Sequence, residues 1–146
     1  MIKSNKRIQG LLNKISDLHL TFGVQPNELV EAAFNENYGS FEVRKNATCL
    51  FLLMTFYEYD GNDKSIIKMR YSYSLDKRLI RVEQKVDNSQ YKKQWDRIEC
   101  MDNFIKELAS ELSALNERSA VEGILNRFFG RTLFFLIDER KVILKF

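Results

Sequence analysis

The chain has 146 residues, of which 45% are hydrophobic and 29% charged, which suits one globular domain and excludes a disordered or fibrous chain. The formal charge of +3 is too small to mark a nucleic-acid binder by itself, although it leaves room for a local basic patch. The N-terminal MIKSNKRIQG lacks an apolar core and a small-residue cleavage site, so the chain is read as cytoplasmic, without signal peptide or membrane contact.

Residues 4–22 carry Ile8, Leu11, Leu12, Ile15, Leu18 and Phe22 at the spacing of one helical face, with Ser4 or Asn5 as cap and Gly23 as terminator. Pro26 stands where a first helical residue belongs, and Leu29, Val30, Ala33 and Phe34 give a second short helix. Phe41 to Lys45 is a short strand, followed by a turn at Asn46.

The stretch from Thr48 to Tyr59, TCLFLLMTFYEY, is apolar at both alternating sets of positions. It reads as a central strand covered on both faces, with Cys49, Phe51, Leu53, Thr55 and Tyr57 directed one way and Leu50, Leu52, Met54 and Phe56 the other. Asp60-Gly61-Asn62-Asp63 is a turn signal, and residues 66–74 and 78–86 then alternate as half-buried strands. Side-chain period predicts their register. Phe56, Met54 and Leu52 meet Ile67, Met69 and Tyr71; Tyr73 meets Ile80, Tyr71 meets Val82, Ile67 meets Val86, and Arg70 meets Glu83.

Asp87-Asn88-Ser89 offers caps for a long helix over about 90–115, with Trp95, Ile98, Met101, Ile105, Leu108, Leu112 and Leu115 as its apolar stripe. A further helix is expected over about 117–129. The chain closes with a hairpin that pairs Ile137 with Val142, Phe135 with Leu144 and Leu133 with Phe146. The expected fold is therefore a single α+β domain over residues 1–146: an antiparallel meander and a C-terminal hairpin, packed by an N-terminal helix pair and a long helix pair. At the level of element order alone, this is similar to bacterial secretion chaperones, a resemblance that implies dimerisation and binding of other proteins. The chain departs from them in being basic and in having no helix after the last strand.

Chemical motifs are scarce. Cys49 and Cys100 lack CxxC spacing and are read as reduced, buried thiols. The single histidine, His19, has no ligand partner at metal-binding spacing, and no phosphate-cradling glycine loop or nucleophile elbow occurs. Glu107 and Glu111 share a helix face and are read as solvated. No catalytic residue, metal or cofactor is therefore expected.

Two surfaces stand out. Lys68, Arg70, Arg81 and Lys85 on the wet sheet face, with Lys92, Lys93, Trp95 and Arg97 at the start of the long helix, form a candidate basic and aromatic patch. Lys68 and Lys85 fall opposite each other, and Lys92 and Lys93 oppose a helix dipole, so both places break a local rule. Phe134, Leu136 and Ile143 lie on the second apolar face of the end hairpin, a candidate dimer contact. The reading preferred from sequence is a non-catalytic protein–protein interaction module (adaptor, inhibitor or chaperone-like), with that hairpin face covered either by the long helices or by a second copy in a homodimer. A nucleic-acid-binding module is the alternative, and an enzyme with an unrecognised site comes third.

Overall fold

A computed structural model describes residues 2–114, 134–138 and 141–145. The fold is α+β. In order it contains helix α1 (Ile2–Leu20), helix α2 (Pro26–Val30), a 3-10 turn (Glu31–Phe34), strands β1 (Tyr38–Lys45), β2 (Cys49–Asp60), β3 (Asp63–Ser74), β4 (Leu79–Val86) and β5 (Lys92–Asp96), helix α3 (Arg97–Ser113), and strands β6 (Phe134–Asp138) and β7 (Lys141–Lys145). The chain divides into two compact units, one of residues 21–98 and one of residues 1–20 with 99–146.

The first unit is built on an antiparallel meander, β1-β2-β3-β4-β5. Strict alternation fixes which side chains of β2 go inward. Leu52 and Met54 are buried and join Tyr73 and Leu79 in a core that Val24, Leu29 and Ala32 pack against. The helical segment between Pro26 and Phe34 thus supplies the lid over this face. Gln25 and Glu28 form a capping box at its start: the Gln25 N–H donates to Glu28 Oε2 at 2.9 Å.

The β2–β3 register is the expected one, Phe56 to Ile67, Met54 to Met69 and Leu52 to Tyr71. In β3–β4, Ile67 meets Val86, Arg70 meets Glu83 and Tyr71 meets Val82 as expected, but Tyr73 meets Leu79 rather than Ile80. A register shift after Ser72 adds a residue to β4, which carries Leu79 into the core and Ile80 to the other face.

Three further expectations are corrected. The central strand is not equally covered on its two faces: Leu52 and Met54 are buried, whereas Cys49, Phe51, Leu53, Thr55 and Tyr57 are only half-buried. The long helix begins at Arg97, because residues 92–96 form a fifth strand on the sheet edge. Phe22 lies beyond the first helix, in a connection where Gly23 adopts φ +86°. The structural reason is a junction: Leu79 N–H donates to Phe22 carbonyl oxygen at 2.7 Å, so the chain must turn down onto β4 there.

In the second unit Ile8, Leu11, Leu12 and Ile15 of α1 form one core with Leu108 and Leu112 of α3, as the helical spacing requires. Arg7 Nε lies 3.1 Å from Glu111 Oε1 on the rim of this pair. β6 pairs with β7 in the expected register, Ile137 to Val142 and Phe135 to Leu144. The expected helix over 117–129 and the Leu133–Phe146 pair lie outside the described residues.

Candidate functional site

Among the described residues, the sheet face opposite the buried one carries three arginine–carboxylate pairs, Arg70–Glu83, Arg81–Asp96 and Arg44–Glu42. Register sorts its side chains into transverse rows. Arg44, Phe51, Ser72, Arg81 and Asp96 are successive partners from β1 to β5. The next row is Glu42, Leu53, Arg70, Glu83 and Lys93, and beyond it Ser40, Thr55, Lys68 and Lys85.

The first two rows are tied by ion pairs. Arg70 donates from Nε to Glu83 Oε1 at 3.0 Å and from Nη2 to Oε2 at 2.9 Å, a fork-to-fork geometry. Arg81 Nε donates to Asp96 Oδ2 at 2.8 Å, and Arg44 Nε to Glu42 Oε1 at 2.7 Å. These bonds raise the pKa of Arg70 and Arg44, with the hydrogen bonds to Glu83 and Glu42 the leading causes. The Arg70 guanidinium also lies 4.0 Å from the Tyr91 ring centroid, and Lys85 Nζ lies 5.8 Å from the same ring.

Two adjoining depressions open on this face, sharing Phe51 and Arg70. One, of about 370 Å³, is lined by Arg44, Lys45, Asn46, Phe51, Leu53 and Arg70. The other, of about 400 Å³, is lined by Cys49, Phe51, Ser72, Ile80 and Ile98 together with the Arg70–Glu83 and Arg81–Asp96 pairs. Their floor is apolar and their walls are charged. The turn beside the first is fixed by Asn46, whose Oδ1 accepts from the Thr48 N–H at 2.9 Å and the Cys49 N–H at 2.7 Å.

The structure divides the patch expected from sequence. Lys68, Arg70, Arg81, Lys85 and Lys93 fall on this face, and Lys68 does stand opposite Lys85. Trp95 pairs with Val82 and packs against the buried core, and Lys92 pairs with Gln84 on that same side of the sheet. Since Lys92 and Lys93 are on an edge strand, they oppose no helix dipole; lysines there discourage pairing with a foreign strand. Arg97 serves the fold: its Nε donates to Leu79 carbonyl oxygen at 2.7 Å and its Nη2 to Thr21 carbonyl oxygen at 2.8 Å.

Sequence reasoning missed Arg44, Phe51, Leu53 and Asp96 as members of this surface. The available signal was the alternation of β1, which makes Glu42 and Arg44 neighbours on one face. Of the proposed hairpin contact, Leu136 meets Ile143 and Phe134 meets Lys145 in the backbone register. Cys49 and Cys100 are free and half-buried rather than buried. Among the described residues there is no cluster of three or more metal-ligating side chains and no helix long and apolar enough to cross a membrane. No family model matches this chain, and neither a curated protein nor a solved structure matches it significantly.

Proposed function

We propose that the protein is a non-catalytic binding module whose ligand is another protein, taken up on the face that carries Arg70 and Phe51. One observation supports this above the rest: two contiguous depressions that share Phe51 and Arg70, one lined by cations and apolar side chains, the other by an apolar surface with paired arginines and carboxylates. An aromatic and arginine centre within a polar rim is the composition of protein interfaces. Three carboxylates among the arginines suit a protein ligand better than a continuous polyanion. The test is affinity capture from the native cell, with nuclease treatment, using the wild type, Phe51→Asp and a control variant, Glu58→Lys. The partner should survive nuclease, be lost with Phe51→Asp and be kept with Glu58→Lys. Equal capture by all three proteins refutes the reading.

Nucleic-acid binding is the second reading, and Lys68 facing Lys85 is the observation that favours it. Binding of labelled single-stranded oligonucleotides that weakens steeply with salt would establish it over the first. We extend the first reading to a homodimer joined through the hairpin positions Phe134, Leu136 and Ile143; light scattering should give twice the chain mass, and Leu136→Lys should halve it. The two free thiols fit a reducing compartment, and we assign the protein to the cytoplasm on that basis.

A further inference from the structure

Resting on the protein-binding reading, we infer the chemistry of the bound segment: a short stretch of a partner protein that crosses the strands, placing an acidic side chain among Arg44, Lys45 and Arg70 and a large apolar side chain against Phe51 and Ile80. The polarity follows from the two depressions. The one toward β1 is lined by three cations and by no carboxylate. Arg44 and Arg70 each give part of their guanidinium to Glu42 and Glu83, and each retains N–H donors for a further carboxylate. Phe51 and Leu53 lower the local dielectric beneath these donors, which strengthens the attraction for an incoming anion. The depression toward β4 is different. Its cations are matched by Glu83 and Asp96, and the surface left over is Cys49, Phe51, Ile80 and Ile98. Its two arginines each have a carboxylate beside them in the same depression, so it is close to neutral, and its uncharged surface suits an apolar side chain better than an acidic one.

The spacing follows from the sheet. The first depression spans β1 to β3 and the second β2 to β5, so their centres lie about one and a half strand spacings apart, about 7 Å. An extended chain rises about 3.3 Å per residue and repeats a face every second residue. The acidic and apolar residues therefore stand two positions apart on one side of the segment. Two geometric locks prepare the surface before binding: the Asn46 turn next to Arg44 and Lys45, and the forked pair that fixes Arg70.

The test is selection from a display library of random peptides about twelve residues long, long enough to cover both depressions, on the full-length protein. Enriched peptides should carry Asp or Glu two positions from Leu, Ile, Met or an aromatic residue. In fluorescence anisotropy the top peptide should lose about tenfold or more in affinity with Arg44→Ala/Lys45→Ala, and again with Phe51→Ala. Replacing its acidic residue by Lys should abolish binding. Arg44 is exposed, so the first variant leaves the core untouched, and unchanged melting temperatures certify the comparison. Enriched peptides without an acidic residue, or binding indifferent to Arg44→Ala/Lys45→Ala, overturn the inference and leave the protein-binding reading intact. No enrichment, with oligothymidylate bound instead, overturns both.

Discussion

Arg70 grips both carboxylate oxygens of Glu83 across β3 and β4 while its guanidinium lies 4.0 Å from the Tyr91 ring centroid. The pair is only partly screened, with side chains 33% and 15% exposed. A double-mutant cycle on Arg70→Ala and Glu83→Ala, followed by urea denaturation, should give a coupling energy of about 1 kcal/mol, above the typical value for an exposed pair. Tyr91→Leu should lower that coupling, because the ring confines the guanidinium. A coupling indistinguishable from zero would mean that the pair arranges the face without stabilising it.

Gly23 holds the junction between the helical segment and β4. Its φ of +86° is costly for any residue with a Cβ, and an added Cβ would stand 2.8 Å from Leu79 Cβ. Leu79 cannot retreat easily: it is buried, its N–H is bonded to Phe22 and its carbonyl to Arg97. Gly23→Ala should therefore destabilise by about 2–4 kcal/mol, the sum of a left-handed backbone and an overpacked contact. Gly61→Ala is the control. It has φ +62° but open space around it, so it should cost only the backbone part, about 1–2 kcal/mol.

Tyr73 makes stability sensitive to alkali. Its hydroxyl donates to Val24 carbonyl oxygen at 2.6 Å, and burial, followed by the nearby Tyr71 and Glu28, pushes its pKa up to about 12. Folding favours the neutral phenol, so its contribution is complete below the unfolded-state value of about 10 and is lost as pH rises towards 12. The loss by the top of that window is on the order of 2 kcal/mol. Tyr73→Phe should cost about 1 kcal/mol at neutral pH, from the deleted hydrogen bond, and should flatten the fall between pH 10 and 12. Thermal melts across that range decide it; an equally steep fall in the variant would place the alkaline sensitivity elsewhere.

The parts of this fold that alternation controls were legible in the sequence. Tyr71 faces Val82 and Met54 faces Met69 because any one-residue slip would expose a whole apolar set. Two things lay beyond reach of that argument. The extra residue in β4 sends Leu79 inward through the chain's descent from Gly23, a long-range cause with no local pattern. Trp95 belongs to a five-residue strand, yet it continues the helical spacing of Ile98 and Met101 without a breaking Gly or Pro, so period alone assigns it to the helix. That same misplacement hid Asp96, and with it the Arg81 pair that neutralises part of the supposed basic patch.

Lys68 and Lys85 are cross-strand partners of like charge, next to the Arg70–Glu83 pair. Opposed cations destabilise a sheet, and an opposite pair contributes about 0.2–1 kcal/mol. Lys68→Glu should thus raise stability by a few tenths of a kcal/mol at low salt, with the gain shrinking as salt screens it. Glu83, diagonal to the new carboxylate, is already engaged by Arg70 and limits the gain. The same variant separates the two binding readings. A peptide anchored at Arg44 and Phe51 contacts the first two rows and should keep its affinity, whereas a nucleic acid drawn by the third row should lose about one phosphate contact's worth of salt dependence. Denaturation at two ionic strengths and paired binding curves read both effects, and unaltered stability at low salt would show that Lys68 and Lys85 already extend apart into solvent.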